Sequence, residues 1–197
     1  MSEYLAKAVG LHEVASHDDE TVCVYITTQS RYEVYHNMDL DLPEAPEDPD
    51  GMWVDLETFD SYEELVEFAE ELFSDEEHPE LLFWDEENFP SDDWYNEKSL
   101  EESFPKFIEF FDLDDNYREA FRDYVELFNC DDFDGFEDHY FGRWDSEEDF
   151  AREEMSSFMD MDKELGNLSV YFDWERYTED LFCDYEMSKN GHVFSIF

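Results

Sequence analysis

The sequence predicts an α+β protein built as three small units in series (α+β, all-α, α+β) beneath an acidic surface. Three observations predict it. The 197 residues carry 59 Asp and Glu against 11 Lys and Arg, a formal charge of -48. Acidity of this kind with few aromatics would imply disorder, but here 19% of the residues are aromatic, 20 Phe, 12 Tyr and 5 Trp. Each buried ring removes about 150–250 Å² from water, so a core can form in spite of the charge. Finally, strand-type runs mix with helical phasing near both ends of the chain, and helical phasing stands alone between them.

Residues 1–20 are polar and aperiodic, a flexible acidic leader or a short, loosely docked helix. The N-terminal α+β domain spans 21–90. It opens with a β-branched strand, Thr21–Thr27. Pro43, Pro46 and Pro49 then force a loop over 39–51, and Met52–Leu56 is a second strand. Ser61-Tyr-Glu-Glu64 is a capping box that starts a helix. Leu65, Val66, Ala69, Leu72 and Phe73 share one face of that helix, and the glutamates share the other. After His78-Pro79, Leu81–Trp84 is a third strand. The helical middle domain spans 91–130. A helix capped at Ser99-Leu-Glu-Glu102 carries Phe104, Phe107, Ile108 and Phe111, with Pro105 early in it. A hinge over 112–116 leads to a second helix marked by Tyr117, Ala120, Phe121, Tyr124, Val125 and Phe128.

The C-terminal α+β domain spans 131–197. Its first thirty residues, Asp131–Asp160, mix twelve carboxylates with seven aromatics. Ser146-Glu-Glu-Asp149 caps a helix with Phe150, Ala151, Met155 and Phe158 inward, and with Asp149, Glu153 and Asp160 outward. Leu168–Phe172 has strand character, 174–185 is helical with Tyr177, Leu181 and Phe182 on one side, and Val193–Phe197 is a closing strand. There is no tandem repeat of fixed period.

The charge excludes whole classes of partner. Nucleic acid is bound through Lys and Arg, so direct binding is ruled out, as is attachment to an anionic membrane. No apolar run has the length of a spanning helix, and the first twenty residues lack the basic flank and apolar stretch of a secretory signal. Three cysteines, Cys23, Cys130 and Cys183, have no CxxC spacing and are expected to be reduced thiols of a cytoplasmic protein.

Catalytic and metal motifs fail on inspection. Gly51 as the sixth residue of a calcium loop would place Asp48, Asp50 and Glu57 correctly but puts Pro46 first, where it cannot ligate. Gly135 would put Cys130 first and Phe141 twelfth. His12 and His17 are five residues apart, not the four that a zinc-protease helix needs. No nucleophile elbow, P-loop or glycine fingerprint is present. The expectation is therefore no enzyme, no catalytic residue, no metal and no cofactor.

Carboxylates on helix faces are ordinarily just solvated surface, but these faces are costly. Along 60–71 no Lys or Arg interrupts Asp60, Glu63, Glu64, Glu67, Glu70 and Glu71. Six like-charge pairs at i,i+3 or i,i+4 cost about 0.2–0.5 kcal/mol each, on the order of 1–3 kcal/mol together. Solubility calls for a net charge of only about 2–8. The glutamates from 63 to 71 span about 12 Å of helix, about one charge per 2.4 Å, against about one per 1.7 Å for duplex DNA. A groove built for DNA gains Coulomb and counterion-release energy from such an array much as it does from phosphates. The residues expected to contact a partner are Asp60, Glu63, Glu64, Glu67, Glu70, Glu71, Asp131, Asp132, Asp134, Asp145, Glu147, Glu148, Asp149, Glu153 and Asp160.

Particular motifs agree with this. The stretch Phe136-Glu-Asp-His-Tyr-Phe-Gly-Arg-Trp-Asp-Ser-Glu-Glu-Asp-Phe-Ala151, then Tyr171–Phe182 and Gly191–Phe197, resembles the ArdA-type antirestriction proteins of plasmids, conjugative transposons and phages. Val24-Tyr-Ile-Thr27, Gly51–Leu56 and the Ser61–Phe73 helix are similar to that family's first domain. The resemblance covers about residues 21–197. It implies an elongated, curved molecule, usually a homodimer, that occupies the DNA-binding groove of type I restriction–modification enzymes. It implies neither catalysis nor a cofactor. The chain departs from the pattern in its leader, in the Pro-rich insertion at 43–49 and in the acidic segment 74–98. The competing reading is an acidic binding module for a basic DNA-binding or nucleoid protein, which could work with flexible acidic runs, whereas mimicry needs a rigid array. Capped helices favour mimicry.

Overall fold

The computed structural model describes residues 21–38 and 48–196. The leader, His12, His17, Pro43, Pro46 and Phe197 lie outside the described residues. The chain is α+β and falls into two compact units, Met1–Asp114 and Asp115–Phe197. The two helices foreseen between 91 and 130 fall one on each side of this division.

In the first unit, strand β1 (Cys23–Thr28) is central, with antiparallel β2 (Met52–Asp55) on one side and β3 (Leu81–Glu87) on the other. Alternation along β1 sends Val24 and Ile26 into the core, opposite Val54 and Phe83 of the neighbouring strands, and Leu56, Leu65 and Phe68 are likewise almost completely buried. The β1–β3 register slips between Tyr25 and Ile26. The skipped residue, Trp84, packs against Tyr32 and Tyr35, with centroids 5.3 and 6.1 Å away. Those tyrosines belong to helix α1 (Gln29–His36), which the sequence reading did not foresee. None of its residues is fully buried, so it lacks the apolar stripe by which a helix is recognised. Helix α2 (Tyr62–Leu72) starts where its capping box predicts and buries Leu65, Phe68 and Ala69.

The next helix corrects the reading. Helix α3 (Phe104–Phe111) begins four residues later than a cap at Ser99 would place it, with Ser103 at its N-cap. Started from Ser99, Pro105 would lie beyond the first turn, removing a backbone hydrogen bond and clashing with the carbonyl four residues back. The later start puts Pro105 in the first turn, where its missing N–H costs nothing. Ser103 then donates its hydroxyl to the Trp94 carbonyl at 2.7 Å, and Phe104, Phe107 and Phe110 form the buried face. Phe110, not Ile108 or Phe111, completes it.

The second unit opens with α4 (Asp115–Phe128) and α5 (Phe133–His139). Its sheet has β6 (His192–Ser195) between β4 (Tyr140–Arg143) and β5 (Tyr185–Met187). Phe136 is the hub of the core, with ring contacts to Tyr117, Phe121, Tyr124, Tyr140 and Phe194. Gly191 (φ +88°) brings β6 against the Trp144 carbonyl, so close that a Cβ would sit 2.5 Å from that oxygen. Helices α6 (Glu147–Phe158), α7 (Met161–Leu165) and α8 (Trp174–Leu181) follow from β4, with a 3-10 turn over Gly166–Tyr171 before α8.

Three expectations are overturned here. Leu168–Phe172 is not a strand but lies on the 3-10 turn and its end; strand character is realised only against a paired neighbour, and this segment joins none of the strands of the β4-β6-β5 sheet. Phe158, placed inward by phasing, is 78% exposed, because α6 buries only Phe150 and Ala151. The closing helix stops at Leu181, and Tyr185 starts β5 instead.

Candidate acidic contact surface

On α2 the Ser61 hydroxyl accepts the Glu64 backbone N–H at 3.2 Å, and Glu64 Oε2 reaches back to accept the Asp60 N–H at 2.8 Å. The cap thus holds Glu64 half-buried. Asp60, Glu63, Glu67, Glu70 and Glu71 are exposed. Leu65, Phe68 and Ala69 anchor the opposite face, so the carboxylates stand on a helix that cannot rotate without unpacking the core.

Beyond the C-terminus of α2 the acidic residues behave differently. Arg31 gathers two of them, Asp75 and Glu76, together with Asp50 from the loop before β2. Its Nε donates to Glu76 Oε1 at 3.0 Å, its Nη2 donates to Asp75 Oδ1 at 2.7 Å, and its Nη1 pairs with Asp50. Glu76 also accepts from Thr28 Oγ1 at 2.7 Å and Ser30 Oγ at 2.6 Å. Burial would push the Glu76 carboxyl up, but the bonds from Ser30, Thr28 and Arg31, with the Arg31 charge, hold it below the usual range. These carboxylates tie the loop at 50, the start of α1 and the end of α2 together.

In the second unit, Asp132 caps α5 by accepting the Gly135 N–H at 2.8 Å, and Asp160 caps α7 by accepting the Lys163 N–H at 3.1 Å. Asp134, Asp145, Glu147 and Glu153 are exposed, and Asp131 is half-buried. Ser146 accepts the Asp149 N–H at 3.1 Å and donates its hydroxyl to Asp149 Oδ2 at 2.7 Å. Glu148 Oε1 accepts from Arg152 Nε at 2.8 Å, and the Arg152 guanidinium lies 4.1 Å over the Trp174 ring.

The two capped helices correspond. Phe59-Asp60-Ser61 and Trp144-Asp145-Ser146 each precede a helix, and both serines have φ -158° and ψ 161°. Each cap is followed by paired carboxylates (Glu63 and Glu64; Glu148 and Asp149) and then by a buried apolar residue, Leu65 or Phe150. The motif recurs far apart, at 61 and 146, and so forms no short tandem period. The helices diverge one turn later, where Glu67 corresponds to Arg152. The row on α2 therefore continues uncompensated, while the row on α6 is partly neutralised.

A family model for the antirestriction protein ArdA matches residues 24–194. The chain belongs to the ArdA antirestriction family. The ArdA match runs through both units and takes in every expected contact residue from Asp60 to Asp160. None of the curated proteins and none of the solved structures compared matches the chain. No helix among the described residues is long and apolar enough to cross a membrane.

Within this ArdA chain some polar side chains that set the geometry were not legible in sequence. Asp123 is buried in α4 and accepts from Ser188 Oγ and Asn190 Nδ2 at 2.6 and 2.9 Å. The fully buried His192 joins Tyr140 through Nδ1 at 2.9 Å and Glu119 through Nε2 at 3.2 Å, and Arg143 donates to the same Glu119 oxygen. The partners of Asp123 and His192 lie 52 to 73 positions away. Among 59 carboxylates, nothing local distinguishes Asp123 or Glu119 from those on display.

Proposed function

We propose that the chain is a non-catalytic DNA mimic that occupies the DNA-binding groove of a type I restriction–modification enzyme and so blocks both cleavage and modification. One observation supports this above the rest. The exposed carboxylates of α2 are held in a row by a two-way cap and a buried opposite face, with no basic residue between Asp60 and Glu71. A row presented this way keeps its spacing when a partner binds, so little ordering entropy is lost on association. The linear density comes near that of a phosphate backbone, and a groove lined by Lys and Arg accepts the row in place of DNA.

The mechanism is competition. Positive side chains of the enzyme exchange their counterions for carboxylates, and the energy falls as salt rises. Purified protein should protect DNA from a type I restriction–modification enzyme and leave a type II endonuclease active. Binding should weaken steeply with salt and be competed by duplex DNA. Binding that ignores both salt and duplex DNA would rule the mimicry out. Replacing Glu63, Glu67 and Glu70 together with glutamine should keep the fold and reduce both protection and the steepness of the salt dependence.

A further inference from the structure

Six residues after its cap serine, α2 carries Glu67 where α6 carries Arg152. The next members of the α2 row, Glu70 and Glu71, are matched on α6 by Met155 and Ser156. Glu153 is exposed but follows Arg152 by one residue, so it lies about 100° round the helix and does not extend the row. The face that stays acidic as far as Glu71 on α2 therefore changes sign on α6 directly after Glu148 and Asp149.

Arg152 is also held where it stands. Its Nε donates to Glu148 Oε1 at 2.8 Å, one turn back on the same face, and its guanidinium lies 4.1 Å over the Trp174 ring of α8. Arg176, by contrast, pairs with Asp180 only at 4.0 Å, and both side chains are largely exposed. A cation tethered so weakly swings aside when a basic groove approaches. Arg152 cannot do so without giving up both the carboxylate and the ring, yet its side chain is 46% exposed and open to a partner. A positive charge fixed in the path of the groove's own Lys and Arg repels them, and like charges set against each other across an interface cost affinity.

We infer that Arg152 is an affinity-limiting residue, which ends the acidic row of α6 and leaves α2 as the dominant contact helix. The inference rests on the reading of the preceding section. It makes the two capped helices unequal: α2 supplies most of the salt-dependent attraction, and α6 supplies only what its first turn can offer.

The test is binding of the purified chain to a purified type I restriction–modification enzyme across a salt series. Arg152→Gln removes the charge and should raise affinity roughly tenfold at low salt, steepen the salt dependence and lose its advantage at high salt. Arg152→Lys keeps the charge but loses the planar fork that spans Glu148 and Trp174, so it should gain only a small part of this. Glu67→Arg copies the interruption onto α2, where Glu63 lies one turn back, and should lower affinity roughly tenfold. Glutamine, lysine and arginine are all good helix formers, and circular dichroism should show every variant folded. Equal affinities of the parent and the Arg152→Gln variant would overturn the inference, because α6 would then lie outside the groove. Weaker binding of Arg152→Gln, or equal gains in the glutamine and lysine variants, would overturn it too by giving Arg152 a contact or packing role instead. An unaffected Glu67→Arg variant, or parent binding that ignores both salt and duplex DNA, would count against the mimicry itself.

Discussion

Asp123, 3% exposed in the middle of α4, accepts a 2.6 Å hydrogen bond from Ser188 across 65 sequence positions. With the second bond from Asn190, it holds the turn that leads into the central strand β6. Asp123→Ala leaves the buried Ser188 hydroxyl and the Asn190 amide without their acceptor. The expected loss is about 1–3 kcal/mol, read as a lower urea midpoint at unchanged slope. Asp123→Asn keeps one acceptor oxygen and should lose less.

Arg31 holds three carboxylates and also lies 4.7 Å over the Phe73 ring. Removing it leaves Asp50, Asp75 and Glu76 close together with their common cation gone. Arg31→Ala should destabilise the protein by about 1–3 kcal/mol. Arg31→Lys should recover only part of this, because a single ammonium cannot reproduce the fork that reaches all three. Thermal melts at low and moderate salt would check both, with the larger deficit at low salt.

Glu76 and Glu86 should respond to pH in opposite senses. The Glu76 carboxyl is held below its ordinary 4.5, so its stabilisation is complete above that value and is lost as pH falls through its folded pKa. The deficit of Glu76→Gln should therefore be full at neutral pH and vanish in acid. Burial, with Asp92, Asp85 and Glu87 nearby, holds Glu86 above 4.5, against one opposing bond from the Phe89 N–H. Its charged form costs stability above its folded pKa. Glu86→Gln should be more stable than the parent at neutral pH, with the gain gone below 4.5. Melting temperatures of the three proteins between pH 7 and 4 would decide it.

Gly135→Ala is a case where helix propensity gives the wrong sign. Alanine normally improves a helix interior by about 1 kcal/mol. At this position a Cβ would stand 2.8 Å from Asp132 Oδ2 and 2.9 Å from the Tyr124 hydroxyl. The α5 cap or the tyrosine has to shift, so the substitution should lower the urea midpoint.

Self-repulsion should make stability rise with salt. Going from about 0.01 M to 0.15 M shortens the Debye length from about 30 to 8 Å, which screens the uncompensated pairs along α2. The melting temperature of the parent should climb over that range, and the Glu63, Glu67, Glu70 triple glutamine variant should climb less. A flat response in the parent would mean that the carboxylate rows cost little.

What the sequence makes legible depends on the range of the interaction. Ser61 and Ser146 could be recognised as caps because the groups they satisfy are three residues away. The α+β class, the carboxylate row on α2 and the family motifs were readable for the same reason, since composition, periodicity and contiguous motifs are local. The late start of α3 was half readable: Pro105 is in plain view, but that it overrides Ser99 emerges only when Ser103 meets Trp94.

What lies beyond local range was decided by tertiary structure. Leu168–Tyr171 has strand character in sequence, yet it is an exposed 3-10 turn that pairs with no strand of the β4-β6-β5 sheet. Phe158 has the phase of a core residue, yet among the described residues nothing covers it and it is 78% exposed. Asp75 and Glu76 look like further members of an acidic display, but Arg31, 44 and 45 positions away, takes them out of it. The sequence by itself determined that the chain folds and that it carries a charge no ordinary surface requires. Only the fold decided which carboxylates face solvent and which serve as caps or clamps, because that choice depends on partners the chain brings together from far apart.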